Sequence, residues 1–476
     1  MDVNNLGVDF DWKLLEVKIY IVTEILSREL LGNLLLATVL AARGHTAIIL
    51  NQEDAFTLSS GSVSGTTIFH AKSLHYAPER ILQHTKLREQ GFLITSQDQE
   101  TFVFHRNLSS RVSERFCEEN LSLVERSYVW SDSEADEVCR QFPEHSSKVV
   151  VTGSPREDTW RKQFRPIGGT DRDRRLILIV PSVGPANHRM RHWEVLALKK
   201  TVLGPGSAPE ALDVLLESLI DGLRSQLSLS RIALELADEF HDCDVVIQPK
   251  QQEILESWKK SLYAVDKQDG RRKNLSIETS RILEESVHSA DVVINAQSTA
   301  GIIALLAEVP LISIVPPFTL ASKIGLQVGQ QDDVVGAVRQ ALEDPEGFMS
   351  GYRASSRRKL GKKLRNPSVK MAAEEIVEDF ESLNSAHGSS KLTYRDWLLY
   401  LSPGSIRRLV SGIKSLVTLR APIPAFSEMV TTVSKAQINE LLDRLYTSLG
   451  FDPGVRVSVA GRRNIIVRPR RISSRL

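Results

Sequence analysis

Two carboxylates, Asp98 and Glu100, follow a short apolar run at 92–95 that is typical of a buried strand. Carboxylates at a strand end can serve as a general base or as a nucleophile. We expect both side chains at the surface of a cleft, where a substitution would spare the fold. A solvated turn explains the same residues, so the local pattern leaves both interpretations open.

A second polar group follows the strand-like run 292–294 and precedes an apolar helical pattern. A helix that begins there presents free backbone N–H groups and the positive end of its dipole. Such a helix start suits a phosphate, although a hydroxyl that only caps the helix is an equally good explanation. The residues predicted to bind a phosphate group here are Gln297, Ser298, Thr299 and Gly301.

Polar side chains also follow other strand-like runs, where ligands of open α/β sheets bind. Gly153 permits a tight turn, and Arg156 after it can meet a phosphate or a carboxylate. Asn187 and His188 form a loop pair that can bind a polar ligand or satisfy loop backbone groups. The charged residues that follow the first strand-like run are Glu24, Arg28 and Glu29.

The elements that would position these residues alternate between strand and helix. The run at 17–23, the helical pattern at 30–42 and the run at 46–50 open the chain as strand, helix and strand. Such units imply parallel sheet. We predict an N-terminal domain at 17–165 and a second α/β domain at 174–350.

The composition is that of an ordinary soluble protein of 476 residues, with 42% hydrophobic residues, 25% charged residues and a formal net charge of +1. This balanced charge gives no reason to expect binding to nucleic acid. The 3 cysteines lie far apart, which argues against a disulfide framework. The start has no signal-peptide pattern, and no apolar run reaches the roughly 20 residues of a membrane span. We therefore expect a cytoplasmic protein.

The composition changes after Gly351, where basic residues dominate. No acidic residue lies between Arg353 and Lys370. We predict a basic helical segment at 351–433, followed by a small α/β add-on at 434–471. The basic residues form either a solvated helix face or a patch that attaches the protein peripherally to an anionic membrane surface.

Several short motifs occur in the order and at about the spacing of a known family. They are Glu24-Ile-Leu-Ser-Arg-Glu-Leu, Lys72-Ser73, Asp98-Gln-Glu, Val151-Thr-Gly-Ser-Pro-Arg, Ala186-Asn-His, Gln248-Pro-Lys and the stretch from Ala290 to Pro310. With them the chain resembles the surface carbohydrate biosynthesis proteins, a group with the GT-B glycosyltransferase architecture. More loosely, it is similar to the Kdo transferases of capsule assembly.

This resemblance implies a GT-B-like α/β fold, with two Rossmann-like doubly wound domains, an interdomain cleft and a small C-terminal α/β add-on. It implies a nucleotide sugar as donor in the C-terminal domain and a glycan or lipid-linked glycan as acceptor, without a cofactor or metal. Asp98, Glu100 and His188 would be catalytic, while Asn187 and Lys250 would join the donor site. The residues expected near the acceptor or the cleft are Glu24, Arg28, Glu29, Lys72, Gly153 and Arg156.

The chain departs from the family's pattern at several of these positions. Gln99 replaces an acid, Gln248-Pro-Lys-Gln replaces Arg-Pro-His-Pro, and Ile303 replaces a Glu. Our leading interpretation is a glycosyltransferase of surface polysaccharide biosynthesis. Two alternatives stay open: a nucleotide-sugar epimerase of the same architecture, and a non-catalytic subunit that binds a glycan or a partner enzyme. The departures favour the second alternative.

Overall fold

The computed structural model describes most of the chain. The described residues are 17–56, 58, 66–100, 108–165, 173–187, 208–250, 253–266, 272–279, 282–296, 298–315, 323–329, 333–361, 364, 370–387, 435–449, 455–460 and 464–469. The chain divides into two compact units. The first unit comprises Met1–Val103, Leu108–Thr159 and Lys362–Leu476, and the second comprises Phe104–Asn107 and Trp160–Gly361.

The first unit is built on an 8-stranded sheet. Its strands are β1 (Lys18–Thr23), β2 (Thr46–Asn51), β3 (Thr67–Ala71), β4 (Leu93–Gln97), β5 (Arg126–Val129), β6 (Val149–Val151), β13 (Val455–Ala460) and β14 (Asn464–Pro469). The order across the sheet is β13-β14-β2-β1-β3-β4-β5-β6. Neighbours from β2 to β6 are parallel, while β14 pairs antiparallel with β2 and β13. The central strands are buried almost throughout, as expected for parallel strands covered on both faces.

Helices connect these strands. They are α1 (Leu26–Ala42), α2 (Gln52–Phe56), α3 (Pro78–Glu89), α4 (Leu108–Arg115), α5 (Glu118–Leu123), α6 (Asp132–Gln141) and α7 (Pro155–Asp158). Helix α1 ends just before Gly44, whose φ of 92° is open to glycine at no steric cost. Because the chain leaves β1 for β2 on one side and later places β3 on the other side, the winding reverses between β1 and β3. Ligands of open α/β sheets bind at such a switch point, outside the carboxyl ends of the strands.

The second unit is built on a 6-stranded parallel sheet. Its strands are β7 (Arg175–Val180), β8 (Cys243–Ile247), β9 (Leu275–Ile277), β10 (Val292–Asn295), β11 (Leu311–Val315) and β12 (Leu326–Gly329). The order β12-β11-β10-β7-β8-β9 places the switch point between β7 and β10. The helices are α8 (Ala208–Glu239), α9 (Leu255–Val265), α10 (Leu283–His288), α11 (Ala300–Leu306), α12 (Val334–Glu343) and α13 (Pro345–Leu360).

After the second unit, the chain returns to the first. Helix α14 (Ala372–His387) packs on α1 and α7, and α15 (Lys435–Leu449) precedes the β13–β14 hairpin. Tyr128 Oη donates to Asp379 Oδ2 at 2.7 Å, and Arg43 Nη1 donates to Glu381 Oε2 at 2.9 Å. The predicted helical segment at 351–433 is therefore divided, since α13 belongs to the second unit and α14 to the first. Residues 388–434 lie outside the described residues.

The predicted fold class is confirmed: the protein is α/β, with two Rossmann-like doubly wound units. One detail was not predicted. The C-terminal hairpin extends the first sheet, because β14 pairs with β2. The outer edge of β2 is thereby covered, which removes unpaired backbone groups from that edge.

Candidate functional site

Charged side chains gather at the carboxyl ends of β1, β3 and β4, at the switch point of the first sheet. We call this group the charged cluster. Its members are Glu24, Arg28, Glu29, Lys72, Arg80, Asp98, Glu100, Arg111, Arg115 and Arg156. Parallel strands bring these residues together because their carboxyl ends meet at one edge of the sheet.

Asp98 is buried within this cluster rather than placed at a surface, since only 5% of the residue is exposed. Arg115 Nε donates to Asp98 Oδ2 and Arg115 Nη2 donates to Asp98 Oδ1, each at 2.7 Å. This two-point contact fixes the carboxylate. Burial raises the pKa of Asp98, and the Arg115 guanidinium opposes that rise. The indole N–H of Trp130 donates to the Asp98 carbonyl oxygen at 2.7 Å and holds the backbone.

Glu100 is the accessible carboxylate of the pair, because its side chain is 37% exposed. Arg28 Nη1 donates to Glu100 Oε1 at 2.6 Å, and Arg111 Nη2 lies 3.4 Å from Glu100 Oε2. Burial opposes ionisation of Glu100, but the nearby Arg28 and Arg115 outweigh it and lower its pKa to about 2. Glu100 is therefore an anion at neutral pH and a weak base.

Lys72 and Glu29 hold the strand ends in place. Lys72 follows β3, is 7% exposed and pairs with Glu24 after β1. Burial lowers the pKa of the Lys72 ammonium to about 8, although Asp98 and Glu100 oppose the shift. Glu29 Oε2 accepts the backbone N–H of Glu24 at 2.8 Å, so it satisfies a free donor at the start of α1.

Gly153 and Arg156 close the cluster on the β6 side. Gly153 has a φ of 75°, and its carbonyl oxygen accepts from Gln97 Nε2 at 2.6 Å. The buried Arg156 donates through Nη1 to the carbonyl oxygen of Gln99 at 3.2 Å. A Cβ on Gly32 of α1 would lie 2.8 Å from Arg156 Cα, so glycine is what lets α1 and α7 approach.

Three arginines of the cluster were missed by the sequence reasoning. Arg80 lies on α3, and Arg111 and Arg115 lie one helical turn apart on α4. The spacing of 111 and 115 was the available signal, because residues i and i+4 share a helix face. Nothing in the sequence alone shows that this face meets the end of β4.

The second unit presents a different set of groups at its switch point. Ser298 is 3% exposed, and its Oγ accepts the backbone N–H of Ala300 at 3.3 Å. The Ser298 N–H donates to Asn295 Oδ1 at 3.1 Å. Thr299 is exposed and caps nothing with its side chain, and Gly301 is buried in α11. Gln297 lies outside the described residues.

The neighbouring loops of the second unit are joined by side chains. Asn187 Nδ2 donates to the Ile254 carbonyl oxygen at 3.2 Å, and Asn187 Oδ1 accepts the Ile254 N–H at 3.3 Å. The carboxamide of Asn187 therefore joins the loop after β7 to the loop after β8. Lys250 is exposed in the latter loop. His188 lies outside the described residues.

Within the described ranges, no group of His, Cys, Asp and Glu side chains could hold a metal ion. Among the helices of the described part of the chain, none is long and apolar enough to cross a membrane.

Comparisons with known proteins gave similarities to solved structures alone, since no protein family and no curated protein matches the chain. A putative UDP-N-acetylglucosamine 2-epimerase from Listeria monocytogenes is similar over 78% of this chain and 97% of its own, at 11% identity and a TM-score of 0.46. A UDP-GlcNAc 2-epimerase from Neisseria meningitidis, bound to UDP-GlcNAc, is similar over 77% of this chain and 99% of its own, at 13% identity and a TM-score of 0.41. The glycotransferase of kitacinnamycin is similar over 78% of this chain and 99% of its own, at 11% identity and a TM-score of 0.34.

Proposed function

We propose that the protein is a metal-independent glycosyltransferase of surface polysaccharide biosynthesis. It transfers a sugar from a nucleotide-activated donor to a glycan acceptor. The observation that carries the proposal is the charged cluster at the switch point of the first sheet. The resemblance of the strand-end motifs to the surface carbohydrate biosynthesis proteins supports it. In this proposal the first unit binds the acceptor and the second unit binds the donor.

Glu100 is the carboxylate closest to the chemistry in this proposal. Its pKa of about 2 makes it a poor proton acceptor, but its charge suits a different task. Glycosyl transfer develops positive charge on the sugar ring, and a fixed carboxylate stabilises such charge. Asp98 contributes by holding Arg115, which in turn contacts Glu100.

The donor phosphates would meet the turn before α11 and the exposed Lys250. Ser298 Oγ accepts a backbone N–H, and its own proton is left to donate to a phosphate. The exposed Thr299 hydroxyl is the more accessible donor of the two. No metal is required, since backbone N–H groups and a basic side chain can stabilise the leaving phosphate.

The test is a melting experiment with uridine and cytidine nucleotides, with and without EDTA. A ligand at 100 times its Kd stabilises by roughly 2.7 kcal/mol. We expect a shift that EDTA does not change and that Thr299→Val with Lys250→Gln weakens. The matched control is Ser276→Ala, which removes an exposed hydroxyl from β9 of the same unit. Absence of any nucleotide shift, or a shift abolished by EDTA, would refute the proposed donor site.

A second candidate function is a non-catalytic subunit that binds a glycan. One observation favours it: arginines already engage both carboxylates of the Asp98-Gln99-Glu100 motif. Incubation with nucleotide sugars and glycan acceptors separates the two functions. Nucleotide release that depends on the acceptor supports the transferase. Glycan binding without any turnover supports the subunit, and isomerisation of the sugar without an acceptor identifies an epimerase.

A further inference from the structure

Arg80 is a buried cation that forms no ion pair among the described residues, although the charge of Asp98 acts on it. It is 7% exposed, and its hydrogen bonds to described residues run through Nη1, to Ser73 O at 2.9 Å and to Ser73 Oγ at 3.0 Å. Its Nε–H has no acceptor. A buried charge without a partner is strongly unfavourable, whereas a charge met by an anion is not. Arg80 therefore points to an anion that comes from a ligand.

Four other cations of the charged cluster have acidic partners of their own. Arg115 pairs with Asp98, Arg28 with Glu29 and Glu100, Arg111 with Glu114, and Lys72 with Glu24. At His75, near Arg80, the positive charges still outweigh the negative ones. Burial and the charges of Arg80, Arg115 and Lys72 lower the pKa of His75 to about 3, against the opposing charge of Glu100.

Lys72 and Arg80 line one small cavity of about 10 Å³ at the carboxyl ends of β1 and β3. This space admits about one oxygen-sized group. His84 Nε2 and Gln52 Oε1, on residues of the same wall, have no hydrogen-bond partner. Asn120 Nδ2 donates to backbone carbonyls, so Asn120 Oδ1 accepts from His84 Nδ1 and leaves His84 Nε2 as an acceptor.

The wall thus combines cationic donors with neutral acceptors. One oxygen of an anionic group would fill this space and accept from Arg80 and Lys72. Because the proposed acceptor is a glycan, the ligand that carries such a group is an acidic or phosphorylated sugar. One bridging water is the competing occupant, because it can also accept from two donors and donate to two acceptors.

We propose that the first unit binds an anionic carbohydrate, with its carboxylate or phosphate at Arg80 and Lys72. This inference rests on the proposed function, since it names the chemical class of the acceptor. The sugar ring lies outside the cavity, which has no room for it. A neutral sugar would leave the Arg80 charge unmatched and would bind more weakly.

The experiment compares glucuronate, glucose 6-phosphate and glucose as ligands of the full chain, by calorimetry at low salt. Either anionic sugar should bind at least about tenfold more tightly than glucose, and Arg80→Gln should remove that difference. The anionic sugar that loses more affinity in Arg80→Gln shows whether carboxylate or phosphate is the recognised group. The matched control is Lys86→Gln, which removes an exposed positive charge from the same helix.

Three results would overturn the inference. They are equal binding of glucose and both anions, retention of the difference by Arg80→Gln, and equal losses in Arg80→Gln and Lys86→Gln. The last result would reveal a general charge effect. Melting of the unliganded Arg80→Gln variant guards against misfolding, because loss of an unmatched buried charge should leave its Tm unchanged or raised. A Tm that falls, with anion preference intact, assigns Arg80 to structure. The nucleotide shift in the second unit is measured separately, so failure here is distinguishable from failure of the donor site.

Discussion

Each of the two Rossmann-like units has a doubly wound sheet with a switch point, yet their carboxyl edges differ in chemistry. The first edge holds buried ion pairs, such as that of Asp98 with Arg115. The second edge holds an exposed hydroxyl at Thr299 and loops joined by the Asn187 carboxamide. Charged groups need partners once they are buried, whereas neutral groups need only hydrogen bonds. The first edge is therefore the costlier structure.

The largest expected effect comes from Asp98→Asn in the first edge. The substitution leaves Arg115 with only the more distant Glu100 carboxylate, 3.9 Å away, and breaking a buried ion pair costs about 3–5 kcal/mol. Activity should also fall by at least roughly 10²-fold, the scale of a lost catalytic carboxylate. Urea unfolding measures the first effect and sugar turnover the second. The sequence-based expectation that Asp98 lies at a cleft surface is wrong, because its side chain is 3% exposed.

Glu100→Gln is the matched variant for that experiment. It should lose a similar amount of activity but little stability, because the Glu100 side chain is 37% exposed and exposed pairs contribute about 0–1 kcal/mol. Equal stability losses in both variants would contradict the contrast between a buried and an accessible carboxylate. Wild-type turnover in both would remove the pair from the mechanism.

A second prediction uses one buried carboxyl in each unit. Burial raises the pKa of Glu134, on α6 of the first unit, from 4.5 to about 8. It raises the pKa of Glu253, in the second unit, from 4.5 to about 7. The folded state therefore keeps a proton that the unfolded chain releases between those pH values. Stability should fall as pH rises through about 4.5–8 for Glu134 and about 4.5–7 for Glu253.

Glu134→Gln and Glu253→Gln should each reduce the loss of stability with rising pH by on the order of a few kcal/mol, since one pKa unit corresponds to about 1.4 kcal/mol. Chemical denaturation at pH 5 and at pH 8 measures the difference. Glu89→Gln, which alters an exposed carboxyl on α3, serves as the control. If both variants show the same pH dependence as the wild type, the buried carboxyls do not hold protons as inferred.

A third prediction compares the glycines that allow close packing at each edge. Gly32→Ala would drive α1 against Arg156, and Gly222→Ala would overlap the Val183 carbonyl oxygen in the loop after β7. Overpacking typically costs about 1–3 kcal/mol. Gly351→Ala is the control, because a Cβ there meets nothing within 4 Å and alanine favours a helix by about 1 kcal/mol. Tm should fall for the first two and rise for the third. A rise in Tm for all three variants would show that neither Gly32 nor Gly222 is closely packed against its neighbour.

The sequence predicted the strands better than it predicted their environment. Apolar runs followed by polar residues identify β1, β4 and β10 together with the residues at their ends, because burial and turn formation are local properties. The ion pairs of Arg28 with Glu100 and of Arg115 with Asp98 join residues 72 and 17 positions apart. Such partners depend on helix placement, which a local pattern does not encode. The pairing of β14 with β2, across most of the chain, was missed for the same reason.

The smallest expected effect concerns the basic residues after Gly351, which were predicted to attach the protein to anionic membranes. Among the described ones, Arg353 pairs with Glu346, Arg357 with Glu308, and Lys370 with Glu378. Each pair cancels a charge that would otherwise contribute about 1 kcal/mol near an anionic surface. The basic face of α13 should therefore bind such membranes weakly. The carboxyl edge of the first unit is more densely charged, but its charges are largely buried.

Glu346→Gln sharpens this expectation because it releases Arg353 from its partner. Flotation with anionic liposomes at low salt should increase, by up to about 1 kcal/mol of binding free energy, and should vanish near roughly 0.5 M salt as the charges are screened. Glu343→Gln is the matched control, since it makes the same change in net charge at an exposed position that holds no arginine among the described residues. Equal gains in both variants would trace the effect to net charge alone. Flotation on neutral liposomes, or none on either lipid with any variant, would refute electrostatic attachment through this helix.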